Sequence, residues 1–299
     1  MIKGETMNKI DLHMHTNISN DGTYDPEVLT QMCYAAGLKI FAIADHNSTK
    51  AYRNAKPSAD KLGLQLIPAV ELDCHIDGIN LHVLGYGIDP DNPVFDEYED
   101  EIHKQEVNSS MFVVSKIREL GILLDDLELD KIQINGVITG EMIAEVALQD
   151  ERNDHHELLL PYRLGGTRSD NPLVNFYWDF CAQGKAAYYP IKFRTLEEIV
   201  SMIHQAGGFA VLAHPGNNIK TNVEVFNKII EKGVVGVEVY SSYHSKEVME
   251  HYYKLASEKD LIMTLGSDFH GKTKPSIHLG KFVIQDEEVL TQRLLAKLQ

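Results

Sequence analysis

The 299-residue chain is poor in cysteine: Cys33, Cys74 and Cys181 stand apart, with no CxxC pair. That rules against a disulfide framework and a thiolate zinc knot, and suits ordinary thiols in a reducing compartment. No apolar run approaches the length needed to span a bilayer. Met1 to Thr6 lack the apolar core of a signal peptide, and Met7 could serve as a second start. A cytoplasmic protein is expected. Positive charge is also scarce, with 28 Lys and Arg against 44 Asp and Glu, a formal net charge of −16. Such a balance excludes a broad basic surface for long nucleic acid. It leaves room for a small phosphorylated substrate, because bound divalent cations would reverse the local sign.

What is present is a globular composition, 43% hydrophobic and 24% charged, enough for one large domain or two average ones. Lys9–Met14 reads as a strand. A helix follows from Asp25-Pro26 to about Ala36, punctuated by the proline and by Gly37. Lys39–Ala44 is an apolar strand running into Asp45-His46, the next helix ends at Gly63, and Leu64–Val70 is a third strand ending in Glu71. Asp77-Gly78 marks a hairpin turn between Leu72–Ile76 and Ile79–Leu84, which carries His82. Residues 92–189 are mostly helical and polar, and read as an insertion. The α/β alternation then resumes, with strands at 209–213, 234–240, 261–265 and 281–284 and a closing helix at 287–298.

Strand after strand ends in a residue able to bind metal: His13 and His15, Asp45 and His46, Glu71, His214, and Asp268 with His270, while Glu238 lies near another end. His13 and His15 stand at i and i+2, so both imidazoles project from one face of a strand. In parallel βα architectures, ligands gather at the carboxyl ends of the strands. A multi-metal site is the reading. Imidazole and carboxylate donors suit zinc, manganese or iron, and a carboxylate such as Glu71 can bridge two cations. Such a pair clamps a phosphoryl oxygen and makes hydroxide available near neutral pH.

The segments Asp11-Leu-His13-Met-His15, Ala44-Asp45-His46, Glu71, His82-Val-Leu-Gly-Tyr-Gly, Ala213-His214-Pro215 and Gly266-Ser-Asp268-Phe-His270 resemble the PHP (polymerase and histidinol phosphatase) phosphoesterase family. The resemblance implies a distorted (β/α)7 TIM-like barrel from residues 7–91 and 190–299, with 92–189 as a helical, substrate-capping insertion. It implies two or three divalent ions (Zn, Mn or Fe) in three ligand sets. These are His13, His15, Glu71 and Asp268; Glu71, His82 and His214; and Asp21, His46 and His270. Glu71, Asp268 and His270 would carry catalysis, and Asp11 and Asp45 would orient imidazoles from behind. Within the family, the chain is similar to small-nucleotide phosphatases, some of which trim short RNA. It departs from them where an Arg-x-His is usual, with Thr139-Gly140-Glu141-Met142 instead, and where a basic residue often follows His-Pro-Gly, with Asn217 instead. Arg163, Arg168, Lys192 and His244 are candidates for substrate contact. The expected partner is a small phosphorylated molecule, a nucleotide or short oligonucleotide, and neither long nucleic acid nor membrane.

The plainer readings cover the rest. His155-His156 belongs to a charged loop, and His75, His103, His204, His251 and His278 fit no convergent pattern. Phe176, Trp178 and Phe180 fall at core spacing, and the acidic run Asp96–Glu106 reads as a solvated helix face. Two other functions stay open at this stage: a metal hydrolase of C–N or C–O bonds, and a non-catalytic metal- or nucleotide-binding protein.

Overall fold

The computed structural model of the chain describes residues 8–284 and 286–298. Met1–Met7, on which the expectation of no leader rests, and the terminal Gln299 lie outside the described residues. Strand β1 (Ile10–Asp11), helix α1 (Pro26–Ala35), β2 (Ile40–Phe41), α2 (Lys50–Leu62) and β3 (Gln65–Leu66) alternate, and the three strands pair in parallel. The third strand expected from sequence is broken at Ile67-Pro68, since proline has no N–H to continue the ladder. A new strand, β4 (Ala69–Ile76), begins directly after it, so Glu71 sits inside a strand rather than at its end. β4 and β5 (Ile79–Tyr86) form the hairpin that Asp77-Gly78 signals. Both turn residues have positive φ, the requirement of a tight two-residue hairpin turn.

The segment after the hairpin is helical: α3 (Pro93–Glu119), α4 (Asp126–Ile132), α5 (Gly140–Gln149) and α6 (Pro172–Phe176). α4 lies in an acidic stretch, and Asp125 caps it by accepting from Leu127 N and Glu128 N. The α/β order then returns with α7 (Leu196–Gln205), β6 (Phe209–Leu212), α8 (Pro215–Asn218), α9 (Val223–Glu231), β7 (Gly236–Ser241), α10 (Lys246–Glu258), β8 (Ile262–Gly266) and α11 (Glu287–Lys297). Residues 281–284 form no strand; Asn8 instead uses its side-chain amide to hold the carbonyls of Gly280 and Phe282.

The strands make two sheets, β1-β2-β3 and β4-β5-β6-β7-β8, and among the described residues no single closed sheet joins them. Two isolated parallel bridges connect the sheets, Met14 to Phe269 and His46 to Glu71. Both lie where the sequence concentrates histidines and acids. The main core packs Leu12, Val70, Leu72, Tyr86, Val211 and Val237 between the sheets and their helices. Val114, Ile117, Ile143, Leu159 and Phe176 form a separate core within the helical segment.

Gly266, the last residue of β8, lets β8 approach β1. A β-carbon there would fall 2.2 Å from His13 Cβ and 2.7 Å from Glu238 Oε1, both held in a packed interior. Gly266→Ala is therefore expected to destabilise the protein by about 1–3 kcal/mol, the usual cost of overpacking. Urea unfolding checks this. A change within about 0.5 kcal/mol would mean the strands can separate freely.

Candidate metal centre

Glu71 projects from β4 into the space between the sheets, and its two carboxylate oxygens face different histidines. Oε2 lies 3.1 Å from His13 Nε2, 3.2 Å from His15 Nε2 and 3.4 Å from His46 Nδ1. Oε1 lies 2.9 Å from His82 Nδ1 and 2.9 Å from His214 Nε2. Asp268 Oδ1 approaches His15 Nε2 at 3.0 Å, and Asp21 Oδ2 approaches His270 Nε2 at 3.1 Å. Donor atoms fall within 4.8 Å of one another in four overlapping groups. These are His13, His15, Glu71 and Asp268; Glu71, His82 and His214; His15, Asp21, His46 and His270; and His46, Asp73 and His82. All nine ligand candidates named from the sequence come together.

The donor set fits divalent cations. Asp268 Oδ1, His270 Nε2, Asp21 Oδ1 and His46 Nδ1 are buried atoms that form no well-directed hydrogen bond despite close neighbours, although buried polar groups are normally satisfied. All four belong to the cluster. Burial alone would raise the Glu71 carboxyl, but His13, His46 and His82 hold it well below its ordinary value. Burial likewise pulls His13 and His15 down, and the surrounding carboxylates overcome it. His13 is raised well above its usual value by Glu71, Glu238 and Asp268, and His15 is raised to about 9 by Asp268 and Glu71. His46 goes the other way, down to about 4, because burial outweighs its carboxylate neighbours. Protons and metal ions thus compete for the same atoms.

A second layer fixes the ring orientations. His13 Nδ1 donates to Glu238 Oε1 at 3.0 Å, which turns Nε2 toward Glu71, and Glu238 Oε2 accepts from His214 N at 2.8 Å. Glu238, placed by the sequence only near a strand end, is therefore positioned to orient His13. A bulge in β7 beside it, between Glu238 and Tyr240, shifts the register there. Asp45 accepts from Thr16 and Ser19, and the Ser19 hydroxyl lies 3.2 Å from His15 Nδ1. Asp11 departs from expectation. It binds no imidazole, and instead accepts the backbone N–H groups of Ser267 and Gly280. Asp268 and Asn47 sit at positive φ, a local strain held by the surrounding packing.

The cluster opens onto a cleft of about 450 Å3 between the sheets and the helical segment. Of the four residues considered for substrate contact, none lines it. Arg163 faces Leu148 O and Asp154, Arg168 is paired with Asp179, and Lys192 is exposed outside it. His244 is buried, donating from Nδ1 to Val239 O and accepting at Nε2 from Gly216 N, so it braces the turn after His214. Two lysines do line the cleft: Lys50, which is paired with Glu99, and Lys274, its Nζ 2.8 Å from Asp268 Oδ2 and 5.2 Å from the Tyr243 ring centroid. The sequence signal for Lys274 was weak, a lysine six residues past Asp268 in a loop. Asp73 was also missed, although its i+2 spacing from Glu71 on a strand marked it. Trp178, His103, Glu99 and Glu106 line the cleft rather than filling core or open surface.

A sequence profile described as "PHP domain" matches residues 11–163. A 5'-3' exoribonuclease of Haemophilus influenzae is 26% identical over 265 residues, covering 88% of this chain and 90% of its own. A 3',5'-nucleoside bisphosphate phosphatase of Chromobacterium violaceum is 26% identical over 271 residues, covering 88% of each. The fold matches a solved structure from Bifidobacterium adolescentis, assigned on prediction as a metal-dependent phosphoesterase, with a TM-score of 0.77 at 24% identity over 98% of both chains.

Glu106 offers a pH test of the cleft's electrostatics. Its carboxyl is pushed from 4.5 to about 8, first by removal from water and then by Asp73 and Asp21. A folded value above the unfolded one means that stability is full at low pH and is lost as pH rises through this window. Glu106→Gln, which never ionises, should therefore match the parent below the ordinary glutamate range and exceed it above pH 8. Urea unfolding of chelator-treated protein at both ends of the range measures this; equal stability at alkaline pH would contradict it.

Proposed function

Because this chain belongs to the PHP-domain family, we propose that its metal-dependent phosphoester hydrolysis acts on a small phosphomonoester of the nucleotide type. The observation that carries this is the placement of the two Glu71 oxygens, each facing its own histidine group at the floor of the cleft. The two relatives named above both act on nucleotide phosphoesters, and the cleft volume falls in the range of small-molecule sites.

We assign two or three divalent ions, zinc, manganese or iron, to the three ligand sets. When bound, they supply positive charge to the phosphoryl oxygens and lower the pKa of water. His13, His15, Glu71 and Asp268 would hold one; Glu71, His82 and His214 a second; Asp21, His46 and His270 a third, with His15 in reach. Glu238 keeps His13 Nε2 aimed at the cluster. Lys274, buried against Asp268, presents its ammonium to a phosphoryl oxygen in the cleft. Glu71, Asp268 and His270 are the residues we assign to catalysis, acting through the ions they would hold beside the reacting phosphate.

Residues 92–189 are proposed to cap the centre, since α3, α5 and the segment after α6 supply one wall of the cleft. The two sheets are proposed to act together as a distorted barrel, linked at the bridges beside His46 and Met14. No helix among the described residues is long and apolar enough to cross a membrane. Three buried, unpaired cysteines support a reducing, cytoplasmic setting.

Alanine at Glu71 or Asp268 should lower phosphatase kcat by about a hundredfold or more, and Glu238→Gln by about 10–100-fold. The assay is turnover of p-nitrophenyl phosphate and nucleoside monophosphates with added manganese or zinc, with circular dichroism to confirm folding. Parent-like turnover in the Glu71 and Asp268 variants would sink this reading.

A further inference from the structure

The cleft's walls carry charge of the wrong sign for a polyanion. Beyond the metal centre, Glu99, Glu106 and Glu141 present carboxylates to it, and among the described residues no arginine lines it. Its only cations are Lys50 and Lys274. Lys50 is engaged by Glu99 at 2.6 Å, and Lys274 lies at the floor beside Asp268. The far wall therefore has no uncommitted cation for a second phosphate.

Glu141 is placed to enforce this. It lies in the first turn of α5, behind the Thr139 cap, and is buried within the cleft wall. The start of a ten-residue helix would otherwise favour an anion. Here a carboxylate of the chain already occupies that position. Asp21, Tyr177, Cys181 and Lys274 line the same cleft. The rest of the wall is aromatic and neutral. Tyr177, Trp178, Tyr188 and Tyr189 line it, with Asn135 and Gln183 among its polar side chains. Aromatic faces of this kind stack a nucleobase, and carboxylates and amides accept from its amines and from sugar hydroxyls.

Resting on the phosphoesterase reading, we propose that this cleft selects a nucleoside carrying a single phosphate, and that Glu141 turns away a second one. The phosphate goes to the metal centre and Lys274. The nucleoside lies along the aromatic wall with its hydrogen-bond donors toward Glu141 and Glu106. A nucleoside bisphosphate or an oligonucleotide would set a further phosphate against these carboxylates, and like charges facing each other in a desolvated site reject a partner.

The test compares kcat/KM of the manganese-loaded full-length protein for adenosine 3′-phosphate, adenosine 5′-phosphate, adenosine 3′,5′-bisphosphate and p-nitrophenyl phosphate. The better monophosphate should exceed the bisphosphate at least about tenfold, and Glu141→Arg should shrink that ratio at least about fivefold, with Glu141→Gln between. A ratio between two substrates is insensitive to how much of a variant folds. A bisphosphate turned over as fast as either monophosphate, or a ratio unmoved by both substitutions, overturns the selection while leaving phosphoester hydrolysis intact. Turnover of p-nitrophenyl phosphate alone overturns the nucleoside assignment. No turnover of any of the four overturns the phosphoesterase reading and this proposal with it.

Discussion

A carboxylate sealed from water stays ionised only where positive charge meets it, and Glu71 is the carboxylate on which this molecule turns. Its backbone joins the two sheets: Glu71 N donates to Asp45 O, and Glu71 O accepts from Asn47 N. Its side chain then reaches five histidines that come from strands and loops of both sheets. Separating the sheets would expose the apolar core and strand the acid among imidazoles. Burying so many titratable groups together is costly, and atoms of Asp21, His46, Asp268 and His270 are left there without a well-formed hydrogen bond. The same concentration of donors is what we propose to hold metal, so stability and chemistry would rest on one group of residues.

Much of the framework was legible in the sequence because its signals are local. Pro26 with Gly37, and Gly63 after α2, bound helices that fall within a residue or two of expectation. The Asp77-Gly78 turn set the hairpin, and through it the cross-strand pairing of Asp73 with His82. The convergence of the candidate ligands was legible for a different reason. An i, i+2 pair on a strand and a polar residue at a strand end each declare a direction, and several such directions converge. What failed depended on tertiary context. Pro68 split one strand into two, and residues 281–284 were secured by Asn8 rather than by a sheet.

The substrate side of the site was hardest to read, since loops and helices of low periodicity build it. Arg163 and Arg168 looked available by charge and position, yet both are spent on acids of their own segment, and Lys274 in an unremarkable loop took the place they were expected to fill. The acidic face of α3 resembled a solvated surface, and it lies against the cleft because the helical segment folds over the metal centre. Charge counted along the chain could not tell which carboxylates would be shielded from water. Lys274, Glu106 and Glu141 now give that side of the site its sign.

In the function proposed, Glu71 would contribute to two of the ion sites at once. The most direct measurement is elemental analysis of metal bound per chain, after manganese saturation and gel filtration, in the parent protein and in Glu71→Gln. A shared carboxylate predicts two or three ions in the parent and the joint loss of at least two in the variant. A parent that retains none, or a variant that keeps the parent's count, would contradict it.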